Sequence, residues 1–244
     1  MDAKVLVLDI ETAPILAYVW DRHDQNIAIN QIKDDWFIMS WAAKWLDSPI
    51  SEVIYRDQRN VRPLSNDKKL VQELWELLDQ ADIVITQNGK AFDAPKINAR
   101  FQLHGLMPPA PYKHLDTYII AKKSAAHTAH SLEYLTDKLC TKYKKLTHKK
   151  FPGMSLWTEC LKGNKAAWEE MKRYNIHDVL ATEELYNKLK AWAPKASPSL
   201  YSQNCPVCGN AKYEKRGFEV LQSAKYQRLH CLVCGRWFRG EKVK

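Results

Sequence analysis

Long apolar runs are absent from this sequence of 244 residues. No segment approaches the roughly 18–20 apolar residues of a membrane-spanning helix, and acids interrupt the N-terminal stretch MDAKVLVLDIE early, unlike in a secretion signal. Internal repeats and low-complexity tracts are also lacking. Hydrophobic residues nevertheless make up 45% of the chain, which is ample for a packed core. We therefore expect a folded intracellular protein of the cytoplasm or nucleoid, without a membrane partner.

Cysteine is sparse as well, and four of the six cysteines form two CxxCG pairs. These four are Cys205, Cys208, Cys231 and Cys234. In an intracellular protein such pairs favour a metal over disulfides, and four thiolates satisfy the tetrahedral geometry of zinc. A redox pair is the weaker interpretation, because so small a unit needs a bound metal or another cross-link to fold. We predict one structural Zn²⁺ in a zinc ribbon at residues 204–244, and we interpret Cys140 and Cys160 as partly buried small residues.

Acids are the minority charge, with 28 Asp and Glu against 37 Lys and Arg, which gives a formal net charge of +9. This excess of positive charge favours a polyanionic partner, and it favours nucleic acid over a membrane surface as that partner. Residues 138–150 contain six lysines and no acid. Such a run is commonly a solvated loop, but a second interpretation is that four of its lysines guide a nucleic-acid strand: Lys144, Lys145, Lys149 and Lys150. Aromatic residues interleaved with basic ones in residues 204–244 also favour nucleic acid, with docking on a protein partner as the alternative.

Four acids and a tyrosine stand in distinctive settings: Asp9 and Glu11 in VLVLDIET, Asp93 in NGKAFDAP, and Tyr174 and Asp178 in YNIHD. Asp9 and Glu11 alternate along a predicted strand and so share one face. Tyr174 and Asp178 are four residues apart and share the inward face of a predicted helix. Converging carboxylates repel one another unless cations bind between them, so we predict a divalent-metal site. The alternatives are a solvated strand end, a helix cap at Asp93 and an ordinary surface acid.

The sequence pattern predicts mixed strands and helices in two to three layers. Residues 4–10 form a nearly continuous apolar run, typical of a central strand covered on both faces. Residues 82–86 predict another short buried strand. Residues 165–192 predict a long helix with a break near Tyr174, and the proline-containing residues 193–203 predict a linker after it.

In their order and settings, the motifs VLDIET, NGKAFDAP and YNIHD resemble those of the DEDD superfamily of 3′–5′ exonucleases, which have a ribonuclease H-like fold. The tyrosine subtype has Tyr four residues before the final acid, where this chain has Tyr174. The histidine subtype has His five residues before it, where this chain has Arg173. The NGxxFD form is most similar to the proofreading domain of family B DNA polymerases. The resemblance covers residues 1–192 and implies an α/β domain with a mixed sheet flanked by helices.

The resemblance also implies phosphodiester hydrolysis with two Mg²⁺ or Mn²⁺ ions. Asp9 would contact both ions, and Glu11 and Asp178 would complete one site. Asp93 would hold the other ion mainly through water. Tyr174 would orient the attacking water, because a phenol with a pKa near 10 is a poor base at neutral pH.

Two residues of the second motif, Asn88 and Phe92, are candidate substrate-binding residues, and the ring of Phe92 offers a surface against which a base can pack. Asp116 resembles the acid of a Leu-Asp-Thr segment found in many such nucleases, and we assign it a supporting role. The expected activity is removal of nucleotides from 3′ ends, with single-stranded DNA favoured over RNA because of the similarity to proofreading domains. A structure-specific endonuclease and a non-catalytic nucleic-acid-binding adaptor are the alternative functions.

Overall fold

The structure is a computed structural model that describes residues 2–146, 150–194 and 198–243. The strands are β1 (Val5–Thr12), β2 (Leu16–Ala17), β3 (Ile32–Asp34), β4 (Ile38–Trp45), β5 (Ile54–Asp57), β6 (Ile83–Thr86), β7 (Lys113–Asp116), β8 (Tyr213–Val220), β9 (Lys225–Cys231) and β10 (Trp237–Val243). The helices are α1 (Lys68–Leu78), α2 (Asp93–Leu103), α3 (Thr117–Ser124), α4 (Leu132–Leu139), α5 (Ser155–Leu161) and α6 (Lys165–Leu189). Among the helices in these ranges, none combines the length and the apolar character needed to cross a membrane.

β1 is the central strand of a five-stranded mixed sheet ordered β5-β4-β1-β6-β7. It runs antiparallel to β4 and parallel to β6, which is itself parallel to β7. Residues 5–8 are all buried, because helices cover both faces of the sheet here. The predicted fold class, a mixed α/β sheet flanked by helices, is confirmed.

The side chains of β1 alternate between two helical layers. Its even-numbered residues pack with α1 and α2. Its odd-numbered apolar residues, Val5 and Val7, pack with α3, α4 and α6. Because residues two apart share a face of a strand, Asp9 and Glu11 continue the second row. The sheet therefore presents both acids to the layer that contains α6.

α6 is one continuous helix of 25 residues, so the predicted break near Tyr174 is wrong. Asn164 caps its start, because its side chain accepts hydrogen bonds from the N–H groups of Ala166 and Ala167 at 3.0 and 3.4 Å. The helix stays regular through its inward polar positions because side chains there find partners elsewhere in the fold. One of them is Asn175, which is fully buried and bonds to β1 and β4.

α2 begins at Asp93, and Phe92 holds the N-cap position without a side-chain capping bond. The interpretation of Asp93 as a helix cap is therefore wrong. Its Oδ1 instead accepts a hydrogen bond from the N–H of Ile10 at 3.2 Å. This bond ties the start of α2 to β1, beside the two acids of that strand.

β8, β9 and β10 form a separate antiparallel sheet ordered β10-β9-β8. Its small core contains Cys205, Val207 and Cys231. Four cysteines lie close together beside it, in an arrangement compatible with the predicted zinc ribbon. Arg236 connects this sheet to the end of the α6 region, where its guanidinium donates to the main-chain oxygen atoms of Ala193 and, at 3.2 Å, of Pro194.

Candidate active site

Three carboxylates from two elements converge beside the five-stranded sheet. Asp9 and Glu11 lie near the end of β1, and Asp178 lies on the buried face of α6. One oxygen atom from each of the three lies within 4.8 Å of the others. Oxygen donors suit Mg²⁺, whose bonds to oxygen are about 2.0–2.1 Å long, and Mn²⁺ prefers the same donors. The three residues therefore fit a divalent-ion site.

Asp93 lies next to this group but does not belong to it. Its carboxylate is only 4% exposed and bonds to the N–H of Ile10, between Asp9 and Glu11 in sequence. The three converging oxygen atoms do not include one from Asp93. The expected contact of Asp93 with an ion, mainly through water, stays a prediction.

Burial and repulsion between acids raise the pKa values of Asp9, Glu11 and Asp93. Burial, followed by repulsion from Glu11, Asp93 and Asp178, raises the pKa of Asp9 well above its usual value. Burial and the charge of Asp178 raise the pKa of Glu11 to about 8. Burial raises the pKa of Asp93 to about 7. Because a nearby cation favours the ionised form, such a cluster is an electrostatic signature of a cation site.

Asn175 on α6 orients Asp9. Its Nδ2 donates to Oδ2 of Asp9 at 2.6 Å and to the main-chain oxygen of Asp9 at 3.2 Å. Its own Oδ1 accepts a hydrogen bond from the hydroxyl of Ser40 at 3.0 Å, which fixes the amide in place. No role was predicted for Asn175, although its position inside YNIHD was a signal that could have identified it.

Trp157 on α5 orients Glu11 in a similar way. Its Nε1 donates to Oε2 of Glu11 at 3.0 Å. Its ring also packs edge-on against the ring of Tyr174, with centroids 6.1 Å apart. The contact of Trp157 with the carboxylates was not predicted, because α5 has no fixed spacing from any of the three motifs.

Tyr174 lies one helical turn before Asp178 and is 7% exposed. Burial, followed by the charge of Asp178, raises its pKa above the usual value of a phenol. The hydroxyl therefore stays protonated at neutral pH and can donate a hydrogen bond. The structure brings this hydroxyl-bearing side chain to the same cluster as the three acids.

Lys145 enters the cluster directly, since its Nζ lies 2.7 Å from Oδ2 of Asp178. Burial opposes the charge of this lysine, but the attraction and hydrogen bonds of Asp178 and Tyr174 together outweigh burial and raise the pKa of Lys145. The ammonium group also lies 4.8 Å from the ring centroid of Tyr174. The structure therefore puts Lys145 among the carboxylates, where its charge partly balances theirs.

The other lysines predicted to guide a strand have different positions. Lys144 pairs with Asp137 at 3.0 Å on the surface. Lys150 is exposed, and its Nζ lies 5.6 Å from the ring centroid of Phe151. Lys149 lies outside the described residues.

The turn between β6 and α2 carries the other two predicted substrate residues. Asn88 has a left-handed backbone with φ of 61°, and its N–H donates to Asp116 at 2.9 Å. Asp116 also accepts from the N–H of Lys90 at 3.1 Å, so it supports this turn. The ring of Phe92 is 42% exposed, with the Nζ of Lys96 at 5.2 Å from its centroid. An exposed ring beside a cation is suited to contact a nucleotide.

The four cysteines of the CxxCG pairs form a second candidate metal centre. The sulfur atoms of Cys205 and Cys234 are 3.7 Å apart, and those of Cys208 and Cys231 are 3.6 Å apart. Tetrahedral zinc with bonds of about 2.3 Å holds its sulfur ligands about 3.8 Å apart. Although burial opposes ionisation, the N–H groups of Cys234 and Val233 lower the pKa of Cys231 to about 7. The four residues therefore fit zinc.

The chain belongs to the RNase_H superfamily, because residues 47–190, more than half of it, match the RNase_H_2 family model. Members of this superfamily are typically nucleases that use divalent metal ions and act on nucleic acid. The matched region contains Asp93, Tyr174 and Asp178 and begins after β1. The placement of Asp9 and Glu11 with them comes from the geometry alone.

Two archaeal DNA polymerases are similar to this chain. One, a DNA polymerase of Methanocaldococcus jannaschii, is 23% identical over 105 residues, which are 42% of this chain and 6% of the polymerase. The other is the solved family B DNA polymerase of the hyperthermophilic archaeon Pyrobaculum calidifontis, with a TM-score of 0.56 and 14% identity. That likeness covers 78% of this chain and 25% of the polymerase chain, and it shows a shared fold. The chain thus spans only a small part of either polymerase.

Proposed function

We propose that this protein is a metal-dependent 3′–5′ exonuclease of the tyrosine subtype of the DEDD superfamily. The observation that carries the proposal is the convergence of Asp9, Glu11 and Asp178, with Tyr174 one helical turn before the last acid. Membership of the RNase_H superfamily and the likeness to DNA polymerases support the same reaction class.

In this proposal, Asp9, Glu11 and Asp178 hold two Mg²⁺ or Mn²⁺ ions directly, and Asp93 contributes mainly through water. When bound, these ions supply an attacking water at neutral pH and stabilise the charge that develops on the phosphate. The raised pKa values of Glu11 and Asp93 support this assignment, because both carboxylates are better stabilised with a cation than without one.

The side chains around the acids provide orientation. Asn175 fixes the carboxylate of Asp9, and Trp157 fixes that of Glu11. Tyr174 keeps its proton because burial raises its pKa, so its hydroxyl positions the attacking water by hydrogen bonding and does not remove a proton from it. Rigid placement of this kind accounts for much of the rate advantage in phosphodiester cleavage.

The preferred substrate in this proposal is the 3′ end of single-stranded DNA. The likeness to two DNA polymerases favours DNA over RNA, and the net charge of +9 favours a polyanion. Phe92 offers an exposed ring for a base next to the turn that precedes Asp93. Asn88 belongs to the same turn, and exposed Lys150 adds positive charge.

The remaining part of the proposal concerns the C-terminal region. Residues 1–192 would form the nuclease domain, 193–203 the linker and 204–244 a zinc ribbon that holds one structural Zn²⁺ through its four cysteines. The ribbon would aid substrate binding. The fit of the four sulfur atoms to tetrahedral zinc supports this assignment.

Incubation with 5′-labelled linear and circular DNA and RNA, in the presence of Mg²⁺ or Mn²⁺, tests the activity and its polarity. We expect a ladder of shortened products from linear DNA, slower cleavage of RNA and no cleavage of circles. Asp9→Ala and Asp178→Ala should each abolish cleavage while leaving the fold intact. Glu52→Gln removes an exposed acid elsewhere and should retain full activity.

Three outcomes contradict the proposal in different ways. Cleavage that persists in both Asp9→Ala and Asp178→Ala places the reaction at another site. Cleavage of circular DNA identifies an endonuclease. Binding of nucleic acid without any metal-dependent cleavage identifies a non-catalytic adaptor.

A further inference from the structure

A groove of about 550 Å³ lies between the second sheet and the segment that follows α6. Three arginines line it: Arg228, Arg236 and Arg239. Trp237 lies among them and is 39% exposed, and Glu219 is the one acid among the described lining residues. The groove is therefore positively charged even though one of its arginines has a carboxylate partner.

Two of these arginines lie side by side on one face of the sheet. Arg228 of β9 pairs in register with Arg239 of β10, so the two cations are direct cross-strand neighbours. Like charges in this position destabilise a sheet unless an anion lies near both. Glu219 bonds to Arg239, at 3.2–3.3 Å, whereas Arg228 has no carboxylate partner among the described residues and donates to a main-chain oxygen. The charge of Arg228 is left for another anion.

Both guanidinium groups are held in place by aromatic rings. The Cζ of Arg228 lies 5.1 Å from the ring centroid of Trp237, and its Nε donates to the main-chain oxygen of Arg216 at 3.0 Å. The Cζ of Arg239 lies 4.6 Å from the ring centroid of Tyr226. Little side-chain freedom is therefore lost when these groups bind a ligand.

Arg236 adds a buried cation to the same groove. This residue is 8% exposed, and in the described part of the chain its guanidinium donates only to main-chain oxygen atoms, those of Ala191, Ala193 and Pro194. Its Nε has no hydrogen-bond partner among the described residues. Carbonyl groups offset a buried guanidinium charge only in part, so an anion near Arg236 is favourable.

We propose that this groove is a phosphate-binding site for the backbone of a nucleic-acid strand, held by Arg228, Arg239 and the buried charge of Arg236. The planar guanidinium group of arginine can donate two parallel hydrogen bonds to the oxygen atoms of one phosphate, and stacking on aromatic rings keeps the arginine side chain extended. Trp237, which is 39% exposed, gives an adjoining base an apolar contact. This site adds a substrate-binding surface to the proposed function. It rests on that function only in assuming that the partner is nucleic acid.

The test measures binding of a 5′-labelled single-stranded DNA oligonucleotide by fluorescence anisotropy across a series of salt concentrations. The protein is the zinc-loaded full chain with Asp9→Ala and Asp178→Ala, so that cleavage does not interfere. The double variant Arg228→Ala Arg239→Ala is compared with Lys212→Ala Lys215→Ala, which removes the same charge from residues that do not line the groove. Arg236 is left unchanged because it also anchors the sheet to residues 191–194.

We expect the arginine variant to bind about 10-fold more weakly or worse, with the slope of log affinity against log salt reduced by about 1–2. The lysine control should change affinity by about 2-fold or less, and Arg228→Lys Arg239→Lys should recover only part of the loss because lysine lacks the fork. Zinc content and circular dichroism verify that each variant is folded.

Equal binding by the arginine variant and the lysine control overturns the proposal. Displacement of the strand by a nucleoside monophosphate at matched phosphate concentration also overturns it, because the site would then recognise a single free phosphate. Intact strand binding by a wild-type protein that shows no cleavage would refute the nuclease assignment while leaving this site standing.

Discussion

The ion pair between Lys145 and Asp178 sets the charge of the cluster at the scale of single residues. An ion that coordinates Oδ2 of Asp178 has to compete with an ammonium group 2.7 Å away. The lysine therefore stabilises the acids when no divalent ion is bound and weakens the attraction of the cluster for such an ion. The charge of Lys145 therefore couples the stability of the metal-free protein to the affinity of the carboxylate cluster for a divalent ion.

Lys145→Met tests this competition. Without the ammonium group the buried acids repel one another more strongly, so the melting temperature in chelator should fall, by about 2–4 °C for each kcal/mol lost in a protein of this size. The rise in melting temperature on adding Mg²⁺ should become larger than in wild type, measured by differential scanning calorimetry. Lys144→Met, which removes a surface pair with Asp137, is the control and should alter neither quantity appreciably. A Mg²⁺ effect no larger than in wild type would contradict the competition.

The pKa of Glu11 predicts a pH dependence of stability. Burial raises it from 4.5 to about 8 in the folded protein, so the folded state binds a proton that the unfolded state releases between these values. Without metal, this contribution to stability is fully present below pH 4.5 and is lost as pH rises through about 8. Saturating Mg²⁺ should reverse the trend, because the ion needs the ionised carboxylate.

Glu11→Gln isolates the effect, since glutamine does not titrate. Melting temperatures of both proteins are measured in chelator from pH 5 to about 9. The melting temperature of wild type should fall relative to that of the variant as pH rises. A difference that stays constant across this range, or that moves in favour of wild type, would show that Glu11 does not carry the predicted proton.

At this scale, the sequence indicated the residues whose spacing follows a regular period. Asp9 and Glu11 share a face because a strand has a period of two, and Tyr174 and Asp178 share one because they are four apart on a helix. The contact between Trp157 and Glu11 could not be predicted, because it depends on how α5 folds back and no periodic pattern encodes that packing. The catalytic roles themselves stay predictions.

At the scale of elements, the pairing of β1 with α6 builds the cluster. The apolar run of β1 correctly predicted a central strand covered on both faces. The predicted break in α6 was wrong, because the polar residues on its inward face do not interrupt the helix. Buried partners on the sheet satisfy such residues, and a single sequence does not show those partners.

Asn175→Ala tests the junction between these elements. The substitution removes the bonds that hold Asp9 on β1 and leaves the hydroxyl of Ser40 without this acceptor. Loss of a side chain that orients a metal ligand lowers activity or metal affinity by about 10–100-fold, and we expect cleavage to fall within this range. Raising the Mg²⁺ concentration should restore part of the rate if metal affinity is the quantity lost. Among the described residues, Asn187→Ala on the same helix removes a bond to Lys190 only, and it should leave cleavage unchanged. A comparable loss in that control would point to general damage to α6.

At the scale of the whole molecule, the two sheets differ in what stabilises them. The five-stranded sheet packs against helices through extensive clusters of buried aliphatic and aromatic side chains. In the described part of the chain, the core cluster beside the second sheet has three buried residues, of which Cys205 and Cys231 are candidate zinc ligands. So small a core contributes little stability without a metal or another covalent staple.

Zinc removal should therefore unfold the second sheet and leave the first one intact. Cys208→Ser takes away one of four ligands, and we expect hydrogen exchange in β8, β9 and β10 to rise to nearly unprotected levels while β1, β4 and β6 keep their protection. Zinc content by mass spectrometry should fall from one ion per chain to nearly none, whereas Cys140→Ser, at a buried cysteine outside the four, should retain the ion. Because Arg236 joins the second sheet to residues 191–194, the end of α6 should lose some protection as well. Retained protection in β8 to β10 without bound zinc would mean that packing against the first sheet, and not the metal, holds this region together.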